Sequence, residues 1–354
     1  MKTNVKIAIW GFGAMGQGMM RTLMRKKGIE VTGICDMHPE RVGKGALALL
    51  GIESRQQEVI IEKDIDKVIA SGSCDICIIA TDSFVKKVYD KIVTVLEKGI
   101  NVITLAEEMA YPWAQEPELA GRLDAIASRN NVSVMGTGIN PGLVMDLLAI
   151  CLSGCMTDVE SVTCKRVNSL SPFGVTVMEE QGIGLTTEEF ERKISEGTMA
   201  GHVGFSESIR MISDAIGLNV DNVRQQMDAI VTDVDRQAPY GFAAAGQVAG
   251  VNMTGQGLRD DKVVVDMIHP QQIEPELGGT QTGDYIVLEG NPRVDMCITP
   301  EINGGEGTIA MCVNCIPHVI NADPGLRTMI DIPVPRALMG DFRNYVKPEK
   351  KIVK

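Results

Sequence analysis

The stretch Trp10-Gly11-Phe12-Gly13-Ala14-Met15-Gly16 constrains this chain more than any other. Its Gly-x-Gly-x-x-Gly spacing carries little alone, because 37 glycines in 354 residues make chance matches common. The surroundings supply the specificity. Residues 6–10 ahead of it form an apolar run suited to a strand buried on both faces of a parallel sheet. Residues 14–27 behind it have helical composition, with Gly28 placed to end the helix. A second strand, 30–35, ends at Asp36, twenty residues past Gly16. Strand, glycine turn, helix, strand and acid, in that order, describe a dinucleotide-binding βαβ unit. In such a unit Gly11 permits the tight turn and Gly13 lets the backbone approach a pyrophosphate. Gly16 lets the helix pack closely on the strand, and the phosphates sit at the helix N-terminus. Asp36 is then placed for the adenosine ribose.

The next hundred residues extend this pattern. Helical segments are expected at 39–50, 84–98 and 117–130, with strands at 58–62, 75–80, 101–106 and 132–135. Thr81-Asp82-Ser83 is expected to form a loop that caps the helix after it. This alternation predicts an α/β fold, an N-terminal Rossmann-type doubly wound parallel sheet. Ligands bind beyond the carboxyl ends of such strands. That brings the glycine turn, Asp36, Thr81, Asp82, Glu107, Glu108 and residues 136–140 to one crevice. Cofactor contacts are expected from Gly11, Phe12, Gly13, Ala14, Met15, Gly16, Asp36, Thr81 and Asp82. Asp36 favours NAD, because its carboxylate would repel a 2′-phosphate; Arg41 close behind leaves NADP possible.

The pattern changes after Asn140-Pro141-Gly142. Pro141 suits the first turn of a helix running to about Leu152. Strands are expected at 159–167, 263–268, 284–289 and 293–298, with helices near 187–196 and 206–216. The glycine-rich segments 182–184, 241–257 and 278–283 read as loops. The prediction is a second α+β domain built on an open mixed sheet. The first domain is taken as residues 1–140 and the second, for substrate and oligomerisation, as 141–311.

Composition narrows the classes. Net charge is −12, from 34 basic and 46 acidic residues, which argues against nucleic acid or an anionic membrane as partner. No apolar run reaches the length of a membrane span, and the N-terminus shows no signal-peptide h-region. Nine cysteines, an odd number, suggest a reducing compartment and a cytoplasmic location. Cys74-x-x-Cys77 and Cys312-x-x-Cys315 have the spacing of half zinc sites. Cys77 and Cys312, however, lie in apolar runs that read as buried strand, so all four are expected to be packing residues rather than metal ligands. Cys151 and Cys155, on a predicted helix, are read the same way. No metal is expected.

Several motifs in fixed order carry a resemblance. They are the first-strand glycine turn, Glu107-Glu108 before Tyr111-Pro112-Trp113, and 136–142 (Gly-Thr-Gly-Ile-Asn-Pro-Gly). After them come Gly201-His202-Val203-Gly204 ahead of Glu207-Ser208, and Val313-Asn314-Cys315-Ile316-Pro317 running on to Ala322-Asp323-Pro324-Gly325-Leu326. Over nearly its whole length the chain resembles the 2,4-diaminopentanoate dehydrogenases of anaerobic ornithine fermentation, relatives of dihydrodipicolinate reductase. The resemblance implies a homo-oligomer, a dimer favoured, that uses NAD(P) to deaminate a small diamino acid oxidatively at C4, giving 2-amino-4-oxopentanoate and ammonia. It also implies that residues 312–354 return to the first domain. The paired histidines of the reductase are missing here, which argues against a cyclic dicarboxylate substrate. Alternatives are a dehydrogenase or reductase of another amino acid or cyclic imine, and a dinucleotide-sensing protein without catalysis.

Amine oxidation by hydride transfer needs a base for the ammonium proton and an activated water for the imine. Glu107 and Glu108, at a strand's carboxyl end, are candidates for the base or for an ammonium anchor. His202, in a glycine-flanked loop, is the third catalytic candidate. His269 and His318, each beside a proline, are placed in loops with weaker claims. Thr137, Asn140 and Glu207 are candidate substrate contacts, and Arg166 could clamp a carboxylate. Solvated loop carboxylates, a structural histidine and a surface arginine are the competing readings.

Overall fold

The computed structural model describes residues 3–348 apart from 55, 71 and 200. The described chain falls into two compact units, one running to Gly142 and resuming at Gly304, the other spanning Leu143–Asn303. In the first unit, strands β1 (Val5–Trp10), β2 (Ile29–Cys35), β3 (Ile61–Glu62), β4 (Ile76–Ile79), β5 (Asn101–Thr104) and β6 (Ser133–Gly136) are all parallel. A strand from the end of the chain, Gly325–Arg327, joins the far edge. The order is Gly325–Arg327, β6, β5, β4, β1, β2, β3, so the sheet reverses direction of growth between β1 and β4. That is the switch point where a doubly wound sheet opens its ligand crevice. The central strands are apolar because both faces are covered: Ile76, Cys77, Ile78 and Ile79 are wholly buried.

Several elements differ from their expected bounds. The first helix is Ala14–Leu23, not 14–27; amides 25 and 26 bond back three residues, which tightens the chain into turns before Gly28. Only Ala46–Leu50 of 39–50 is helical, because glycines 43 and 45 divide it from the turns around Arg41. The 58–62 strand reduces to Ile61–Glu62, since the Glu58 carboxylate instead accepts the Leu47 and Ala48 amides and caps that short helix. The run 308–313 is helix, not strand. It belongs to Gly304–Asn321, whose Ile309 packs so close to Gly18 that a Cβ there would lie 2.3 Å from it. His318 therefore sits in a helix, not a loop. Beyond it, Leu326 and Phe342 are buried in the first unit, while residues 349–354 of the expected tail lie outside the described residues.

The second unit holds the expected mixed sheet. Its strands are β7 (Asp158–Ser169), β8 (Asn222–Val231), β11 (Val248–Arg259), β12 (Lys262–Gln272), β13 (Gly283–Asn291) and β14 (Val294–Ile298), with β9 (Arg236–Ala238) and β10 (Gly241–Ala243) forming a separate hairpin. The order is β14-β13-β7-β12-β11-β8, with β7 and β12 parallel and the other pairs antiparallel. β11 runs through what the glycine content marks as loop, and β8 had no counterpart among the expected strands. The glycines of β11 serve packing. A Cβ on Gly255 would lie 2.6 Å from the Phe205 ring, and one on Gly257 2.7 Å from Ile209. They let the helix Phe205–Ile216 lie flat on the sheet. His269 lies on β12, not in a loop. The helix expected from Pro141 begins at Leu147, where the Asp146 carboxylate accepts the Leu147 amide; residues 141–146 are turns. Cys151 and Cys155 are exposed rather than buried, because that helix is short and they fall on its outer side and just beyond its end. Among the described residues no helix is long and apolar enough to cross a membrane.

Candidate active site

In the first unit the glycine turn joins β1 to the helix Ala14–Leu23 as its residue types require. Gly11 has φ +99°, and a Cβ there would meet the Ala80 carbonyl at 2.3 Å. A Cβ on Gly16 would meet the Gly11 carbonyl oxygen at 2.1 Å. Gly13 differs: nothing lies within 4 Å of its Cβ position. Two glycines are thus needed for the turn itself, and the third leaves bare backbone facing open space. No side chain caps the helix that follows, so its first-turn amides point outward as donors. Bare backbone, open space and uncapped amides are what a dinucleotide pyrophosphate needs, and the residues present fit that group.

Asp36 closes the turn from β2. Its carboxylate accepts the Phe12 amide at 2.5 Å and the His38 amide at 2.7 Å, and pairs with Arg41 at 3.1 Å. Burial pushes its pKa up, but the His38 and Phe12 amides and the Arg41 guanidinium outweigh burial and hold it below the usual carboxylate range. Asp36 thus sets the shape of the glycine turn from the end of β2. Beyond β4, Lys91 donates to Thr81 Oγ1 at 2.8 Å and to Asp82 Oδ2 at 2.6 Å. Neither caps the helix Val85–Leu96. That task falls to Glu108, whose Oε2 accepts the Val85 amide at 2.7 Å. Burial raises the Glu108 pKa; the Val85 amide opposes this, Glu116 adds to it and Lys86 opposes it. Glu107 and Glu108 open a short 3₁₀ turn directly after β5. Thr137 is buried, its hydroxyl 3.2 Å from Met329 Sδ, and Asn140 is half-buried at the end of this unit's main segment.

In the second unit a polar row crosses one face of the sheet. Arg166 and Asn168 alternate on β7, and His269 and Gln271 alternate on β12, where Gln271 pairs in register with Asn168. Arg166 is 3% exposed and Asp284 2% exposed, and their Nη1–Oδ1 distance is 2.5 Å. Arg166 Nη2 also donates to the Ile302 carbonyl. Burial raises the Asp284 pKa more than Arg166 lowers it. His269 Nε2 lies 2.8 Å from Asn168 Oδ1. The His202 ring stands edge-on to His269, centroids 4.8 Å apart, and its amide lies 2.7 Å from Met253 Sδ. Burial, then the Arg166 charge, hold His202 down to about 3, and burial, His202 and Arg166 hold His269 well below its usual value. Both rings are neutral near pH 7. His202 keeps some solvent contact as a residue, but its Nε2 is buried without a hydrogen-bond partner. Glu207 is wholly buried in the first turn of the helix Phe205–Ile216, beside Ser208, whose hydroxyl donates to Asp146.

Comparison with known proteins decides the family. Residues 143–348 match the 2,4-diaminopentanoate dehydrogenase C-terminal domain. The chain belongs to the 2,4-diaminopentanoate dehydrogenase family. Residues 5–137 match the oxidoreductase-family NAD-binding Rossmann fold. A 2,4-diaminopentanoate dehydrogenase of Acetoanaerobium sticklandii is 54% identical over 352 residues, covering 99% of both chains. An amine dehydrogenase of Streptomyces virginiae is 24% identical, covering 94% of this chain and 98% of its own. The solved amine dehydrogenase of Mycobacterium smegmatis superposes with a TM-score of 0.84 at 24% identity, covering 96% of this chain and 98% of that one. At that identity the structural likeness carries the fold.

Within this family member, the sequence candidates separate by environment. The glycine turn, Asp36, Thr81, Asp82, Glu107 and Glu108 gather at the carboxyl ends of the first sheet's strands. His202 and Arg166 share the polar row of the second. Thr137 is buried in the first unit beside Met329. Arg166 is buried and ion-paired, not a surface arginine. Asn168, Gln271, His269 and Asp284 join Arg166 in this row with no motif to mark them. The available signal was polar residues two apart on β7 and on β12, where the side facing a helix should be apolar.

Proposed function

We propose that this protein is an NAD-dependent 2,4-diaminopentanoate dehydrogenase. It would convert the C4 ammonium, one water and NAD⁺ into the C4 ketone, ammonium, NADH and one proton. The observation that carries the reading is 54% identity to the A. sticklandii enzyme across 99% of both chains, and the turn at Gly11–Gly16 and the buried polar row are compatible with it. Bound NAD would accept the hydride. Gly11–Gly16 would hold the pyrophosphate on the helix amides, and Asp36 the ribose hydroxyls. Asp36 already engages Arg41, which favours NAD over NADP because the arginine is not free for a 2′-phosphate. Glu108 is the stronger candidate for the base, since a raised pKa makes a carboxylate a better proton acceptor near neutral pH; Glu107 is its alternate. Arg166, His202 and Glu207 would serve the diamino acid, with Asn140 as a further polar contact. We take a cytoplasmic homodimer as the working state, which light scattering on the purified protein checks.

The test is NADH formation by purified protein with 2,4-diaminopentanoate, ornithine, lysine and diaminopimelate in parallel. Turnover confined to, or strongest with, 2,4-diaminopentanoate supports the reading. Faster turnover of another amino acid, or dinucleotide binding with no turnover of any, overturns it.

A further inference from the structure

Among the described residues of the second unit, Gln271, His202, Gln181 and Asn252 each bury a polar atom with no hydrogen-bond partner; Gln181 and His202 meet at the loop around Gly201, and Gln271 stands two residues along β12 from His269, whose ring centroid is 4.8 Å from that of His202. Gln271, on β12, is 8% exposed and its Nε2 is unpartnered. His202 Nε2 is in the same condition. Gln181 donates from Nε2 to the Gly201 carbonyl, next to His202, at 3.0 Å, and its Oε1 is buried without a partner. A buried polar atom keeps its desolvation cost unless something pairs with it. Gln181 and His202 at one loop, with Gln271 on the strand that carries the neighbouring His269, mark a place built for a ligand.

The chemistry of that ligand can be read from the groups. An amide nitrogen only donates, so Gln271 needs an acceptor. Two residues along the same face of β7 stands the guanidinium of Arg166, whose charge already depresses both histidines. Asn168, the cross-strand partner of Gln271, spends its oxygen on His269 and so does not supply the acceptor. A donor that lacks an acceptor, with the neighbouring Asn168 oxygen already engaged by His269, suits an oxygen of the ligand, and the only oxygens of a diamino acid are those of its carboxylate. On the reading that the second unit binds a diamino acid, that oxygen belongs to its carboxylate, and the acceptors Gln181 Oε1 and a neutral imidazole remain for its ammonium.

We propose that Gln271 is a substrate-specificity residue whose side-chain amide donates to the α-carboxylate of the diamino acid. It touches the part of the substrate that does not react, so its contribution lies in binding rather than in the hydride step.

The experiment is steady-state kinetics on the full-length protein with Gln271→Ala, Gln271→Met and Gln271→Glu, varying 2,4-diaminopentanoate at saturating NAD. A hydrogen bond to a charged group corresponds to roughly 10- to 150-fold in affinity. Gln271→Ala and Gln271→Met should therefore raise KM for the diamino acid by about that range, leave kcat within about threefold and leave KM for NAD unchanged. Gln271→Glu nearly preserves shape but sets carboxylate against carboxylate, so its KM should exceed that of the alanine variant. A KM for Gln271→Glu at or below wild type would show that the group met is cationic and overturn the proposal. Unchanged KM in folded Ala and Met variants would leave only a structural amide and overturn it too. The Met variant preserves side-chain volume should Ala fail to fold. If wild type prefers another amino acid, the functional reading fails while the same KM comparison, run with that amino acid, still tests Gln271. If wild type prefers 2,4-diaminopentanoate and the variants keep its KM, only this inference fails.

Discussion

The Arg166–Asp284 pair offers a sharp test of whether this sheet face is kept for binding or for stability. Both side chains are almost wholly removed from water and meet at 2.5 Å. The Ile302 amide also donates to Asp284 at 2.9 Å. Even so, burial outweighs the guanidinium in setting the Asp284 pKa. Removing one partner leaves a bare buried charge and should cost about 3–5 kcal/mol. Removing both with apolar groups of similar volume should cost little, or even stabilise, apart from the Ile302 groups left to find water. We therefore expect Asp284→Leu alone to lose about 3–5 kcal/mol, and the double variant Arg166→Met with Asp284→Leu to lie within about 2 kcal/mol of wild type. Urea unfolding followed by circular dichroism measures both. The double variant should nonetheless bind the diamino acid poorly, since it removes the cation from the polar row, and its KM should rise while its KM for NAD does not. If the double variant is as unstable as the single one, the pair is a net stabiliser and the argument fails. If it is stable and its substrate KM is unchanged, Arg166 has no part in binding.

Four further outcomes follow from named contacts. Gly13→Val projects a branched side chain into open space at the helix N-terminus; it should abolish NAD binding by calorimetry while Tm changes little, because the turn itself depends on Gly11 and Gly16. Asp36→Ala removes the acceptor of the Phe12 and His38 amides and frees Arg41, so NAD binding should weaken by about 1.5–3 kcal/mol and the NAD-to-NADP ratio of kcat/KM should narrow; a ratio at the wild-type value refutes the assignment. Glu108→Gln retains an oxygen for the Val85 amide, so the fold should hold while kcat falls by about 10²–10⁴ if Glu108 is the base; an unchanged kcat moves the role to Glu107. His269 has a folded pKa far below its unfolded value of ~6.5; the unfolded chain then takes up a proton that the folded one refuses, and stability is lost as pH falls below ~6.5, by about 1.4 kcal/mol per pH unit for this residue. His269→Asn should flatten that slope between neutral and mildly acidic pH in urea titrations, and an unaltered slope would show that His269 is protonated in the fold.

How much of this could be read from the chain depends on which residues are forced by local geometry. The glycine turn was legible because each of its constraints is local: Gly11 and Gly16 have no room for a side chain, and Asp36 falls where β2 must end. The parallel sheet was legible because doubly covered strands such as 76–79 have to be continuously apolar. The second unit resisted for the opposite reason. β11 contains glycines for the benefit of Phe205 and Ile209, residues some fifty positions away, and a sequence window sees only the glycines and suggests a loop. The helix Gly304–Asn321 contains Pro317 and four glycine or proline residues in all, which lower helix propensity, yet packing against the helix Ala14–Leu23 overrides it. The polar row was the least legible part. Arg166, Asn168, His269 and Gln271 fall on one row only when β7 and β12 lie side by side in parallel, a pairing of segments about a hundred residues apart. Once that register is known, an arginine with no motif around it becomes a buried, ion-paired cation, and a glutamine equally unmarked becomes a donor lacking an acceptor.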